Sequence, residues 1–91
     1  MLMGTLKETL LFGATGQVGI HRYEIYKHEM KGGYFAIIYV QKTIAVHDNS
    51  MVMWVMENSY LPLKSNFVPN ARMECEVHWQ EEIAPSLCSG D

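Results

Sequence analysis

The chain has 91 residues, enough for one small domain, and its 48% apolar and 19% charged residues exclude a disordered, collagen-like or disulfide-dense protein. The formal net charge is -3, and residues 73–91 carry five acidic and no basic side chains. Because nucleic-acid affinity depends on basic side chains that neutralise phosphates, this acidic quarter argues against a nucleic-acid partner. We expect a single domain over residues 1–91, with flexible ends at 1–4 and 86–91.

Cysteine content and apolar run lengths predict the compartment. Cys75 and Cys88 are too few for a disulfide framework, and the N-terminus lacks the basic and long apolar regions of a secretory signal. The longest apolar runs, at 34–40 and 51–56, are too short to cross a bilayer. We therefore expect a cytoplasmic protein with free thiols and no membrane partner.

Residues 10–19 read LLFGATGQVG, with glycines at 13, 16 and 19. The stretch resembles the phosphate loop of the short-chain and NmrA-like dehydrogenases, where a strand leads through GxxGxxG into a helix. The resemblance spans residues 9–42 and implies a helix over 18–31. It also implies NADP binding, with the cofactor held by Gly13, Gly16, Gly19 and Lys42.

The following residues favour a plain loop before a strand instead. The dinucleotide fold needs a second helix after Val40, but the chain continues with a turn sequence at 48–50 and an apolar run. Aromatic and β-branched residues favour a strand over 20–30, joined to the next strand by Gly32-Gly33. We therefore expect no cofactor, and a nucleotide-binding domain remains the alternative.

The middle of the chain predicts a β-hairpin. Residues 34–47 are rich in β-branched and aromatic side chains, which suit a strand. The side chains of Asp48-Asn49-Ser50 favour a turn. The strand predicted over 51–57 is apolar on both faces, which implies that another element or a partner covers it.

The last third predicts a loop and one more strand. Two prolines indicate a loop over residues 57–70, and the alternating pattern of 72–79 is typical of a half-buried strand. A short helical turn is expected near 5–11 or 80–84. The predicted fold is mainly β or α+β: a small antiparallel β-meander or half-barrel with at most one or two short helices.

No pattern predicts catalysis or metal binding. Glu74 and Glu76 flank Cys75 and would raise the pKa of its thiol, which disfavours a nucleophile. Cys75 and His78 have the spacing of metal ligands, but residues three apart on a strand point to opposite faces. A non-enzymatic function is therefore favoured, with neither catalytic nor metal-ligating residues.

The methionine-rich run around Trp54 suggests an adaptable contact surface. A strand that is apolar on both faces in so small a chain predicts a protein partner or a homo-oligomer. We expect a small interaction module, a class that includes inhibitors such as phage-encoded anti-defence proteins. The candidate anchors are Met53, Trp54, Tyr60, Phe67 and Trp79.

A small-ligand binder is the alternative function. The glycine loop at 13–19 would close the site. Its polar lining would come from His21, Tyr23, Tyr39 and His47.

Overall fold

The computed structural model describes residues 4–13 and 20–87, and it forms one antiparallel sheet with a helical C-terminal segment. The strands are β1 (Gly4–Phe12), β2 (His21–His28), β3 (Tyr34–Val46) and β4 (Asn49–Leu63). The helical parts are α1 (Val68–His78), a π-helical turn (Trp79–Ile83) and α2 (Ala84–Leu87). Strand order in the sheet follows chain order, so the predicted small, mainly β meander is confirmed.

The strand expected over residues 20–30 is confirmed as β2. It pairs antiparallel with β1, from Gly4 opposite His28 to Phe12 opposite His21. Gly32 and Gly33 have φ angles of 73° and 81° in the turn to β3, a conformation that glycine adopts without strain. The dehydrogenase resemblance requires a helix here, but β2 is a strand antiparallel to β1.

The predicted strand over residues 72–79 is wrong, because those residues lie in α1 and the following π-helical turn. The apparent alternation came from Met73 and Val77, which are 66% and 47% exposed on the outside of the helix. The buried positions Ala71 and Cys75 are four residues apart, the period of a helix rather than a strand.

The predicted loop over 57–70 is also wrong in its extent, since β4 continues to Leu63 and α1 begins at Val68. Pro62 lies within β4 opposite Phe35, and proline is tolerated there because β4 is an edge strand. Pro69 falls in the first turn of α1, where its missing N–H costs no helical hydrogen bond. Both prolines therefore fit regular elements.

Of the two helical turns predicted as alternatives, the one near 80–84 is confirmed and the one near 5–11 lies in β1. No helix in the described ranges 4–13 and 20–87 combines the length and apolar content needed to cross a bilayer.

The short connection between β4 and α1 is held by one carboxylate. Glu74 accepts hydrogen bonds from the backbone N–H of Lys64 and Ser65 at 2.9–3.2 Å. The Ser65 hydroxyl donates to the same carboxylate at 2.9 Å. Glu74 thereby ties the second turn of α1 back to the end of the sheet.

The main core lies between α1 and one face of the sheet. Its fully buried side chains share that face or the helix surface above it: Tyr23, Ile25, Ala36, Ile38, Ala71 and Cys75. The two helix residues in this set are small, which lets the helix backbone approach the sheet closely. At the core margin the rings of Phe12 and Trp79 stack with centroids 5.5 Å apart.

Truncating this core is expected to unfold the protein readily. We predict that Ile25→Ala lowers the free energy of unfolding by about 2–5 kcal/mol, because the cavity it leaves cannot fully collapse. Leu11→Ala, at a position 64% exposed, is the control and should change it by no more than about 0.5 kcal/mol. Urea denaturation measures both, and equal losses in the two variants would contradict this core.

Candidate interaction surface

The ends of β3 and β4 form a projecting hairpin, residues 42–53, which we call the arm. β2 pairs with β3 only as far as Val40, and one more bond joins the Gln41 N–H to the Ile20 carbonyl at 2.8 Å. Beyond that point, within the described part of the chain, the two strands pair only with each other. Every residue of the arm is exposed, and the molecule measures 47 × 32 × 16 Å.

The tip of the arm is a two-residue turn. Val46 pairs with Asn49, so only His47 and Asp48 reverse the chain. His47 has a φ of 57°, in the left-handed region, which histidine enters more readily than bulky or β-branched residues. The turn therefore begins one residue earlier than the Asp-Asn-Ser sequence suggests.

Both faces of the arm carry large apolar side chains. Ile44 lies opposite Met51, and Met53 follows two residues later on the same face. These three side chains are 39%, 54% and 42% exposed, and Val52 on the other face is 61% exposed. Because these side chains are largely exposed, they contribute little to the stability of the fold. An isolated two-stranded hairpin of this kind is only marginally stable in water.

The root of the arm is fixed by stacked side chains on the sheet face opposite α1. The Arg22 guanidinium carbon lies 4.4 Å from the ring centroid of Tyr39 and 4.7 Å from that of Trp54. The Nε atom of Arg22 is 3.3 Å from a Glu24 carboxylate oxygen, without the alignment of a hydrogen bond. Such cation–π contacts contribute about 0.5–2 kcal/mol each, so they hold the arm against the sheet at its base.

An aromatic row covers the rest of that face. The Phe35 ring has the rings of Tyr26, His28 and Tyr60 around it, with centroid distances of 5.3, 4.7 and 5.1 Å. A 2.9 Å hydrogen bond joins the His28 Nε2 to the Tyr60 hydroxyl. Phe35 is thus buried by neighbouring rings on the same sheet, although no described element packs over this face.

Polar groups also enter the core on the α1 side. His21 Nε2 lies 2.9 Å from a Glu57 carboxylate oxygen, and a 2.7 Å hydrogen bond joins the Tyr23 hydroxyl to His78 Nδ1. Burial raises the pKa of the Tyr23 phenol well above its ordinary value of 10.0, with smaller contributions from Cys75 and Glu57. This phenol therefore stays protonated at neutral pH and serves packing and hydrogen bonding.

Cys75 has no nucleophilic character in this setting. Burial raises the pKa of its thiol to about 12, with a smaller contribution from Glu74. Because these residues lie on a helix, Cys75 and His78 are on the same side of it. On a strand they would point to opposite faces. Even so, in residues 4–13 and 20–87 no three His, Cys, Asp or Glu side chains are grouped to hold a metal ion.

The predicted nucleotide-binding residues are only partly within the described residues. Gly13 follows the end of β1 with a φ of 150°, and Lys42 lies at the base of the arm. Gly16 and Gly19 lie outside the described residues. The next described element after the glycine stretch is the strand β2, where the resemblance requires a helix.

The structure places the four predicted ligand-binding residues in three separate locations. His21 and Tyr23 are buried on the α1 side of the sheet, and His47 is at the arm tip. Tyr39 points to the opposite face, because its neighbour Ile38 pairs with Tyr23 on the α1 side. Two surface hollows of about 310 and 330 Å³ flank α1, and none of these four residues lines them.

The predicted interaction residues are split between the surface and the core. Met53 is in the arm, Trp54 at its root, and Tyr60 and Phe67 are 44% and 69% exposed. Trp79 is half-buried: it follows Cys75 by one helical turn and packs against Phe12 at the margin of the core.

Sequence reasoning also missed the partners that hold these surfaces together. They are Arg22, His28, Glu57 and His78. Each of them contacts a residue that is distant in the sequence. No local pattern signals such contacts, because they follow from strand register.

The buried thiol gives the protein a pH dependence. The pKa of Cys75 rises from its ordinary value of 9.0 to about 12 on folding, so this contribution to stability is complete below pH 9 and is lost as pH rises toward 12. Burial and a hydrogen bond to Glu24 also raise the pKa of Tyr26 to about 12. Tyr26 therefore adds a loss of stability of the same sign at pH values above its ordinary pKa of 10.0.

We therefore expect the urea midpoint to fall between pH 9 and 10 in the native sequence and to fall less over that range in Cys75→Ala, where only tyrosines with raised pKa values remain. In a Cys88→Ser background, Cys75 should react with a thiol reagent at pH 8 only after unfolding. Rapid labelling of the native protein would contradict the burial of this thiol.

The hydrogen bond between Tyr23 and His78 should be measurable as a coupling energy. A double-mutant cycle with Tyr23→Phe and His78→Ala is expected to give about 0.5–1.5 kcal/mol, the usual net contribution of such a bond. Chemical denaturation at neutral pH provides the four free energies. Strictly additive losses would show that the two side chains do not act together.

Comparisons with protein-family models, curated proteins and solved structures found no match to this chain. Its function is therefore argued from the described residues themselves. Among the described residues, the arm is the longest unbroken run of exposed side chains.

Proposed function

We propose that the protein is a non-enzymatic interaction module that binds another protein chain through the arm. The observation that carries the proposal is that all twelve residues of the arm, 42–53, are exposed although most of their large side chains are apolar. Scattered apolar side chains are normal on any surface. A contiguous apolar patch on a projecting element instead indicates a place where another molecule packs.

The composition of the arm supports a protein contact. Met51 and Met53 are flexible and polarizable side chains, of the kind that adapt to a partner's surface. Trp54 adds an aromatic anchor at the root, and aromatic residues are prominent in interface energetics. The arm has one basic residue, Lys42, and one acidic residue, Asp48, so charge attraction is a minor part of the proposed contact.

The fixed root also supports the proposal. The stack of Arg22 with Tyr39 and Trp54 sets the direction of the arm before any partner arrives. A preorganised element loses less conformational entropy on binding than a flexible loop of the same sequence. The base of the arm is therefore preorganised for binding.

Site-specific photo-crosslinking in the producing cells tests this function. We expect p-benzoylphenylalanine in place of Val52, which is 61% exposed, to form covalent protein adducts. The same group in place of Met30, which is 88% exposed in the β2–β3 turn, is the control and should form few. A protein adduct of any mass supports the proposal, provided that it forms at the Val52 position.

A second variant separates a specific contact from nonspecific stickiness. Met51→Glu should abolish the Val52 adducts, because a carboxylate would be desolvated in the contact, whereas Met73→Glu on the outside of α1 should preserve them. Equal adducts at Val52 and Met30, or none at either position, would overturn the proposal.

A further inference from the structure

We propose that the partner of the arm is a second copy of this chain, which pairs edge to edge with β4 about a two-fold axis. The pairing is antiparallel, centres within residues 51–54 and joins the two sheets into one of eight strands. This inference rests on the proposed function, since it names the molecule that the arm contacts.

The outer edge of β4 is open, and it is unprotected over residues 49–56. Among the described strands, β4 has only β3 as a neighbour, so one row of its backbone N–H and C=O groups faces outward. Sheet edges are normally blunted by charges, prolines or bulges. Residues 49–56 contain no charged residue and no proline.

The outer edge of β1 is protected in its middle. β1 carries Lys7 and Glu8, and its register with β2 is irregular between Leu6 and Glu8. On β4 the comparable features, Glu57, Pro62 and the irregular register with β3, all lie beyond Met56. Charges and an irregular register both discourage pairing with another strand, so residues 49–56 are the stretch of β4 left available for pairing.

Two-fold symmetry fits this charge-free segment. In a symmetric contact each residue near the axis meets its own counterpart, so any charge there would face a like charge. The first charged residues on either side of residues 49–56 are Asp48 and Glu57. Eight consecutive uncharged residues therefore allow two copies to meet without repulsion, although each copy has a net charge of -3.

The geometry of such a pair also determines which faces meet. A two-fold axis that relates antiparallel edge strands is perpendicular to the sheet, and it keeps each face on its own side. The exposed row of Ile44, Met51 and Met53 then continues into the same row of the second copy. One apolar surface is formed across the junction, with both α1 helices on that side.

The chain exposes more surface than a compact monomer of its mass. The accessible surface is 6426 Å², whereas a compact monomer of 10.4 kDa exposes about 5,400 Å². The radius of gyration is 14.7 Å, compared with about 12 Å for a compact domain of this length. The chain is therefore extended, which leaves the arm and its edge accessible to a second copy.

Light scattering after size exclusion, over micromolar to near-millimolar concentration, tests the dimer. We expect a mass of twice 10.4 kDa for the native sequence. Met53→Glu should weaken the dimer more than about tenfold, because like charges meet near the axis. Met30→Glu is the matched control and should leave the dimer unchanged, and circular dichroism should confirm that both variants are folded.

Charge rescue and cysteine scanning locate the axis. Met53→Glu mixed with Met53→Lys should dimerise more tightly than either variant alone. Single cysteines at 51, 52, 53 and 54, in a Cys88→Ser background, should form an intermolecular disulfide mainly at the residue beside the axis. Directly opposed strand residues lie about 4.5–5.5 Å apart between Cα atoms, which a disulfide spans.

The outcomes separate this inference from the proposed function. A strict monomer at every concentration overturns the dimer, and so does a dimer that Met53→Glu leaves intact. If the native chain is monomeric but Val52 still crosslinks to a different protein, the interaction module stands and its partner is not a second copy. If Val52 forms no adducts and the chain is monomeric, both proposals fail.

Discussion

The packing of α1 on the sheet is the contact on which the rest of the structure depends. Ala71 and Cys75 lie directly on the row formed by Tyr23 and Ile25, and their small side chains let the helix come close. A meander of four strands has no second sheet to cover it, so this helix supplies the main layer that excludes water. Glu74 strengthens the arrangement by tying the helix to the end of β4.

Burial is concentrated at one end of the sheet. The strand β2 has eight residues, whereas β3 and β4 have thirteen and fifteen, so the longer pair extends beyond the covered region. The core end supplies stability through the helix and the aromatic row. The extended end contributes little stability, so packing places little constraint on the side chains at its surface.

Sequence patterns predicted the hairpins because their signals are local. Gly32-Gly33 and the aromatic content of residues 20–30 were enough to identify β2. The sequence patterns failed at α1, where the exposed Met73 and Val77 produced the alternation that is typical of a strand. They also could not foresee the arm, because its projection depends on β2 ending opposite Val40. Likewise, Tyr39 could not be separated from Tyr23 without the register between their strands.

The chain order of these elements has a consequence for synthesis on the ribosome. The strands β1 to β4 emerge before α1, which follows β4 after a short connection. Until Ala71 and Cys75 have left the ribosome, the apolar row of Tyr23, Ile25 and Ile38 has no cover. A nascent sheet that has emerged without α1 therefore exposes this apolar row to other chains, and the core closes only once the helix has followed.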